Sequence, residues 1–311
     1  MKENPSSHPV LIVGTGAMAC LFAARLSAAG CQVTMLGTWR EGLEALRRHG
    51  VIVDHPNGSQ NTYPVQATDN PAECSGARSA LVLVKSWQTG RAAQHLETCL
   101  AADGIALTLQ NGMGNREKLA SVLGAQRVAL GVTTIGANLL GPGKVRPAGD
   151  GVISLSVHSR LESLMSTLRN AGFSVENAPD PDALLWGKLV INAAINPLTA
   201  LLSVPNGALL ERPTARALMV SAAREAAAVA TAQGLHLPYS DPVGAVETIA
   251  SRTAANRSSM LQDVQRGAPT EIDAICGAIV SAGEQSGIPA PVNRTLWQLV
   301  KALTPGEMEQ A

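Results

Sequence analysis

Val10-Leu11-Ile12-Val13-Gly14-Thr15-Gly16-Ala17-Met18-Ala19 is the stretch that decides the fold. Four apolar residues run into a GxGxxA turn, and Ala17–Ala29 beyond it carry the apolar periodicity of a helix. In a strand–turn–helix of this kind Gly14 makes the tight turn and Gly16 lets the backbone approach a pyrophosphate. Ala19 stands at the third position, where a small residue lets helix pack closely on strand. Thr15, Ala17 and Met18 fill the loop, and the helix N-terminus offers free amides and a partial positive charge to phosphate oxygens. A glycine-rich turn alone is weak. Its place after a strand and before an apolar helix is the context that makes it a dinucleotide site.

Outward from that turn, short apolar runs alternate with helical patterns, the signature of a parallel α/β sheet. Strands are expected at Val10–Val13, Gln32–Leu36, Ser79–Val84, Ile105–Leu109, Val128–Gly136 and Val152–Val157, with a short last one at Phe173–Val175. Helices are expected at Ala17–Ala29, Gln88–Leu100, Asn115–Leu123 and Leu161–Asn170. After Asn177 the strand signals stop, and Ala-rich helical stretches such as Ala215–Ala232 and Glu271–Ser286 follow, punctuated by prolines. The expected architecture is α/β. Residues 1–178 form an N-terminal Rossmann-type dinucleotide-binding domain, and residues 179–311 an all-helical C-terminal domain.

Composition narrows the function classes. The 311 residues are 46% apolar but only 3% aromatic, so the core must be built from Ala, Val, Leu and Ile. Lys plus Arg and Asp plus Glu are 24 each, and no basic run could follow a phosphate backbone, which disfavours nucleic acid as a partner. The polar start, with an apolar run that stops at Gly14, is too short for a signal-peptide core. No stretch approaches the roughly 18 apolar residues of a membrane span. Five scattered cysteines without a CxxC pair read as reduced, buried thiols in a cytosolic protein. Six histidines show no metal-ligand spacing, so no metal is expected.

Which nicotinamide the turn would hold depends on the end of the second strand. NAD-binding chains usually carry Asp or Glu about 20 residues after the glycines. Here that place reads Leu36-Gly37-Thr38-Trp39-Arg40, with no acid before Glu41. A missing carboxylate and a nearby guanidinium favour the 2′-phosphate of NADPH, gripped by Arg40. Lys85 and Asn111 each lie just past the carboxyl end of an expected strand, where open α/β sheets bind ligands. Taken separately, a solvated lysine and an Asn-Gly turn are the better explanations of the two.

The segment Leu184–Pro197 is the most informative of the second half. Lys188, Asn192 and Asn196 recur at i, i+4 and i+8, and so share one face of a helix whose other residues are almost all apolar. One cation and two carboxamides are costly there without partners. A ligand bearing a carbonyl, a carboxylate and a hydroxyl would supply them; a network to another helix is the structural alternative. Pro197 should kink or end the helix. Further along, Ser259 with Gln262 fits a capping box. Glu271 falls in a helix first turn, where the dipole favours it.

Together these residues resemble the ketopantoate reductase family. The matching pieces are Gly14–Ala19, Lys85-Ser86-Trp87-Gln88, Asn111-Gly112-Met113-Gly114, Lys188–Asn192 continuing to Asn196–Ala200, Pro205-Asn206-Gly207, Ser258–Asp263 and Thr270–Asp273. They occur in family order and span nearly the whole chain. The resemblance implies an NADPH-dependent oxidoreductase that reduces 2-dehydropantoate to (R)-pantoate in pantothenate and coenzyme A biosynthesis, working in the cytoplasm as a monomer or homodimer. It implies Lys188 as general acid and Glu271 as its partner or a cofactor contact. Asn192, Asn196, Asn206, Ser259 and Asn256 would bind substrate. Asn111 would touch both nicotinamide ribose and substrate, while Lys85 and the Ala137 backbone line the cofactor cleft. Two positions depart from the family pattern: Ala19 replaces the third glycine, and Thr38 stands where many members have Arg.

Two rivals stay open at this point. A paralogous reductase of another branched 2-ketoacid or 2-hydroxyacid would leave some of the carboxamides unpaired. A non-catalytic NADPH-sensing regulator would not need Lys188 and Glu271.

Overall fold

The computed structural model describes residues 9–55 and 57–303. The expectation made for the polar start before Pro9 falls outside the described residues. Residues through Gln110 together with Asn115–Pro181 form one compact unit, and Asn111–Gly114 with the chain from Asp182 form a second. The division therefore lies three residues beyond the one expected. Four residues of the first half also belong with the helices.

The first unit contains strands β1 (Val10–Val13), β2 (Val33–Leu36), β3 (Val51–Asp54), β4 (Gln60–Tyr63), β5 (Gln66–Thr68) and β6 (Ala77–Val82). It continues with β7 (Leu100–Thr108), β8 (Val128–Thr133), β9 (Gly136–Gly141), β10 (Lys144–Gly149), β11 (Val152–Ser156) and β12 (Ser174–Ala178). Its helices are α1 (Ala17–Ala28), α2 (Arg40–His49), α3 (Thr89–Cys99), α4 (Asn115–Leu123) and α5 (Glu162–Asn170). Eight strands form one sheet in the order β12-β11-β8-β7-β6-β1-β2-β5, parallel except where β11 meets β8. The order reverses beside β1, which pairs with β2 on one side and β6 on the other. That reversal is the switch point at which doubly wound sheets bind ligands.

Alternation along the strands builds both faces of this sheet. Val10 and Ile12 of β1 join Val33, Met35, Leu81 and Leu107 in one core, with α1 and α5. Leu11 and Val13 point the other way, into a core shared with Val82, Ala106 and helices α3 and α4. The two phenylalanines meet in this core: Phe22 stacks on Phe173 with ring centroids 4.4 Å apart, and Arg25 covers Phe173.

A second sheet, β4-β3-β10-β9, departs from the expectation of one sheet. The run expected as a single strand from Val128 to Gly136 stops at Thr133, and a new strand starts at Gly136 in this other sheet. Helix α1 packs against β1 and β2 and also against β3, β9 and β10. Contact with two layers explains why it is apolar on nearly every side.

The second unit is helical: α6 (Pro181–Leu202), α7 (Ala208–Glu211), α8 (Pro213–Ala232), α9 (Pro242–Arg252), α10 (Ser259–Gln265), α11 (Ala278–Ser286) and α12 (Pro291–Leu303). Pro213 and Pro242 stand at helix starts, where a missing N–H costs nothing. Helix α6 runs through Pro197 to Leu202 instead of ending there. The proline leaves the Ala193 carbonyl without its usual i+4 donor, and the Cys276 thiol lies 4.0 Å from that oxygen. By length and composition α6 could cross a membrane, which corrects the reading that no stretch qualifies, but 72% of its apolar window is buried in the protein. All five cysteines are buried and free.

Candidate active site

The turn after β1 is built as its glycines require. Gly14 has φ +133, and its N–H donates to the Leu36 carbonyl at 2.8 Å. A Cβ there would lie 3.0 Å from the Leu83 backbone carbon and oxygen, so only glycine lets β1 and β6 end side by side. Gly16 is the N-cap of α1 in an extended conformation, and a Cβ added to it would meet nothing within 4 Å. No side chain caps the α1 N-terminus, and no acidic residue stands in its first turn. Thr15 and Ala19 are buried, whereas Gly16, Ala17 and Met18 are half-exposed. Open space beside Gly16 above a helix start with uncapped amides fits a diphosphate.

Two further cofactor candidates of this unit, Arg40 and Lys85, follow the carboxyl ends of strands in the eight-stranded sheet. Arg40 opens α2 four residues past β2; its exposed guanidinium bonds Glu44 at 3.1 Å, a carboxylate the sequence reading passed over. Lys85 lies three residues past β6, with its N–H bonded by Gln88. Ala137 sits in β9, opposite Pro147, and so belongs to the second sheet. A buried network also went unforeseen. Gln110 donates from Nε2 to the Val84 carbonyl at 3.0 Å and to Thr89 Oγ1 at 2.8 Å, and Thr89 is 2.8 Å from Asn115 Oδ1. It ties the chain after β6 to the chain after β7, which positions both strand ends. Gln110 adjoins the quoted Asn-Gly motif, and Thr89 adjoins Lys85–Gln88, the one signal that could have found them.

In the helical unit α6 presents its polar stripe as the spacing requires. Lys188 and Asn192 are half-buried and Asn196 is buried, while Leu189, Val190, Ala193 and Ala194 fill the core. Gly187 lets the loop at Pro238-Tyr239 approach; a Cβ would lie 2.7 Å from the Pro238 ring, and Tyr239 Oη donates to the Gly187 carbonyl. Burial pushes the Lys188 ammonium down from 10.5 to about 8, against the charge of Glu271, which holds it up.

Glu271 is itself buried and stands one residue before the helix it was expected to occupy; its carbonyl accepts the first helical bond, from the Ile275 N–H. Asp273–Gly277 then form a π-helical turn, a form often found at functional sites. Asn111–Gly114 docks on that turn: the Met113 N–H donates to the Ala274 carbonyl at 2.8 Å, and a Cβ on Gly112 would lie 2.7 Å from Ala274. Asn111 is thus brought to the same π turn that follows Glu271. Trp297 fixes the turn's outer side through Nε1 to Asp273 at 2.6 Å.

The remaining carboxamides and hydroxyls form a second cluster. The Asn206 N–H donates to the Asn256 carbonyl and the Gly207 N–H to the Ala254 carbonyl, so the Pro205–Gly207 loop lies along residues 254–256. Asn256 is exposed, and it is its backbone that makes this contact. The capping expectation is corrected: Ser258, not Ser259, is the N-cap of α10, accepting from the Leu261 N–H at 3.1 Å. Thr199 of α6 reaches Ser258 Oγ at 2.7 Å, and both side chains are buried. Ser259, at the first helical position, is not consumed by capping. Among the described residues no group of three His, Cys, Asp or Glu side chains could hold a metal ion.

Comparison with known proteins agrees along most of the chain. Residues 10–160 match the family described as Ketopantoate reductase PanE/ApbA, and residues 180–304 match Ketopantoate reductase PanE/ApbA C terminal. A 2-dehydropantoate 2-reductase of Halobacterium salinarum is 36% identical, covering 94% of this chain and 97% of that protein. One from Archaeoglobus fulgidus is 37% identical, covering 96% and 98%. The solved structure of a PanE/ApbA family ketopantoate reductase from Ralstonia eutropha JMP134 superposes with a TM-score of 0.88 at 34% identity, covering 96% of this chain and 98% of that one.

Proposed function

The chain belongs to the ketopantoate reductase family, and from that premise we propose that it catalyses the NADPH-dependent reduction of 2-dehydropantoate to (R)-pantoate. The observation that carries the reading is Lys188: a lysine on an apolar helix, held near pKa 8 by burial, beside two carboxamides on the same face. At pH 7 such an ammonium remains protonated by about ten to one, yet it gives up its proton far more readily than a free lysine.

When bound, NADPH supplies the hydride. Gly14–Ala19 and the α1 amides would hold its diphosphate, Arg40 its 2′-phosphate, and Lys85, Asn111 and the Ala137 backbone would line its cleft. Lys188 donates its Nζ proton to the ketone oxygen as charge develops there, and the same cation stabilises that charge. The Glu271 carboxylate keeps Lys188 protonated at working pH by opposing the effect of burial. Asn192, Asn196, Asn206, Asn256 and Ser259 would bind the carboxylate and hydroxyl of the substrate. The reading makes the protein a cytosolic enzyme of pantothenate biosynthesis, working as a monomer or homodimer.

The test is a substrate panel with the purified protein and NADPH: 2-dehydropantoate, pyruvate and 2-oxoisovalerate, with the product identified by mass. Preferential formation of pantoate is expected. Turnover of the other ketoacids with none of 2-dehydropantoate would overturn the substrate assignment while leaving a ketoacid reductase.

A further inference from the structure

Asn206 is only 8% exposed, and its Oδ1 is buried without a hydrogen-bond partner. A carboxamide can usually be turned over to exchange oxygen for nitrogen, but here one contact forbids it. Thr253 Oγ1 lies 2.7 Å from the Ile249 carbonyl oxygen. Two oxygens so close need a proton between them, and the carbonyl has none to give, so the single hydroxyl hydrogen of Thr253 is committed there. The 2.9 Å contact between Thr253 Oγ1 and Asn206 must then be donated by Asn206 Nδ2. That leaves Oδ1, a pure acceptor, on the other side. The backbone holds the residue from below, through the Asn206 N–H to the Asn256 carbonyl at 3.0 Å and the Gly207 N–H to the Ala254 carbonyl at 3.1 Å.

We propose that Thr253 is a positioning residue for substrate recognition: its hydroxyl locks the Asn206 carboxamide so that Oδ1 accepts from the hydroxyl of the substrate. The inference rests on the functional reading above and deepens it. At neutral pH 2-dehydropantoate carries a carboxylate and a ketone, both acceptors, and one hydroxyl, its only donor. A buried acceptor left unpaired selects for that donor and against ketoacids that lack it, because such ligands leave the acceptor unsatisfied. Without the Thr253 hydroxyl the carboxamide can turn, and its NH2 would serve a carboxylate or ketone as well as its oxygen serves the hydroxyl.

The experiment compares wild type, Thr253→Val and Thr253→Ser on 2-dehydropantoate and on 3,3-dimethyl-2-oxobutanoate, the same ketoacid without the hydroxyl. Pantoate affinity is measured in parallel by calorimetry with NADP+ present. In Thr253→Val the KM for 2-dehydropantoate should rise about tenfold, with kcat within about threefold of wild type and the analogue unaffected. Pantoate affinity should fall by a similar factor. Thr253→Ser, which keeps the hydroxyl, should restore the wild-type discrimination. If the valine variant does not fold, Thr253→Ala removes the same hydroxyl without added bulk and is read the same way. Equal losses on both substrates, or unchanged discrimination, would overturn the role of Thr253 while leaving the reductase reading intact. A wild type that does not reduce 2-dehydropantoate would instead overturn the functional reading itself.

Discussion

The electrostatics of Lys188 predict the pH dependence of the enzyme and its response to one substitution. Reduction needs the protonated lysine, so kcat/KM for 2-dehydropantoate should be flat below pH 8 and fall about tenfold per pH unit above it, far earlier than a lysine at 10.5 would allow. Oxidation of pantoate by NADP+ needs the neutral amine and should rise through the same pH. Burial is the larger cause of the shift and the Glu271 charge opposes it, so Glu271→Gln should move both limbs to lower pH. At pH 8, where about half of the wild-type lysine is charged, the variant loses reductase activity; at pH 6 the two profiles approach each other. Stability carries the same signature. Between about pH 8 and 10.5 the unfolded chain holds a proton on Lys188 that the folded chain has released, so folding stability attributable to this group rises with pH across that window. At about 1.4 kcal/mol per pH unit the full rise is about 3 kcal/mol. It is measured as the difference between wild type and Lys188→Met in urea unfolding at the two ends of the window. A wild-type limb near 10.5, or a Glu271→Gln limb at higher pH than wild type, would show that burial and the Glu271 charge do not set the titration of Lys188.

Three further outcomes are expected. Gly14→Ala puts a Cβ at φ +133 against the Leu83 backbone, which should cost about 1–3 kcal/mol in thermal or urea unfolding and weaken NADPH binding measured by fluorescence titration. Ser258→Ala removes the cap of α10 and the partner of Thr199, with an expected loss of about 1 kcal/mol in urea unfolding and a raised KM for 2-dehydropantoate. Arg40→Ala should raise the KM for NADPH by about tenfold or more while leaving that for NADH nearly unchanged, because only the former carries the 2′-phosphate.

The first strand, its glycine turn and α1 were legible because backbone sterics and strand–helix periodicity are local. So was the Lys188–Asn192–Asn196 stripe, whose spacing alone puts three polar side chains on one face of an apolar helix. The second sheet was not. β4 reads Gln-Asn-Thr-Tyr and β10 carries Lys, Arg and Pro, so neither apolar run nor alternation marks those two; only β3, with Val51-Ile52-Val53, carries an apolar run. What stabilises them is contact with α1, a feature of tertiary structure. Pro197 was expected to kink or end α6; the helix does not end there, held by its buried neighbours on both sides of the proline. The adjacent serines at 258 and 259 each fit a cap, and the choice fell to Thr199, 59 residues away. The docking of Asn111–Gly114 on Ala274 and the locking of Asn206 by Thr253 likewise join parts of the chain that no local pattern connects.

The most direct test is NADPH consumption with 2-dehydropantoate, comparing wild type with Lys188→Ala at pH 7 and confirming by titration that the variant still binds NADPH. Wild type should turn over briskly, and the variant should lose at least about a hundredfold in kcat with its NADPH affinity unchanged. Near wild-type turnover by Lys188→Ala would contradict the role of Lys188 as general acid, because the proton would then come from another group.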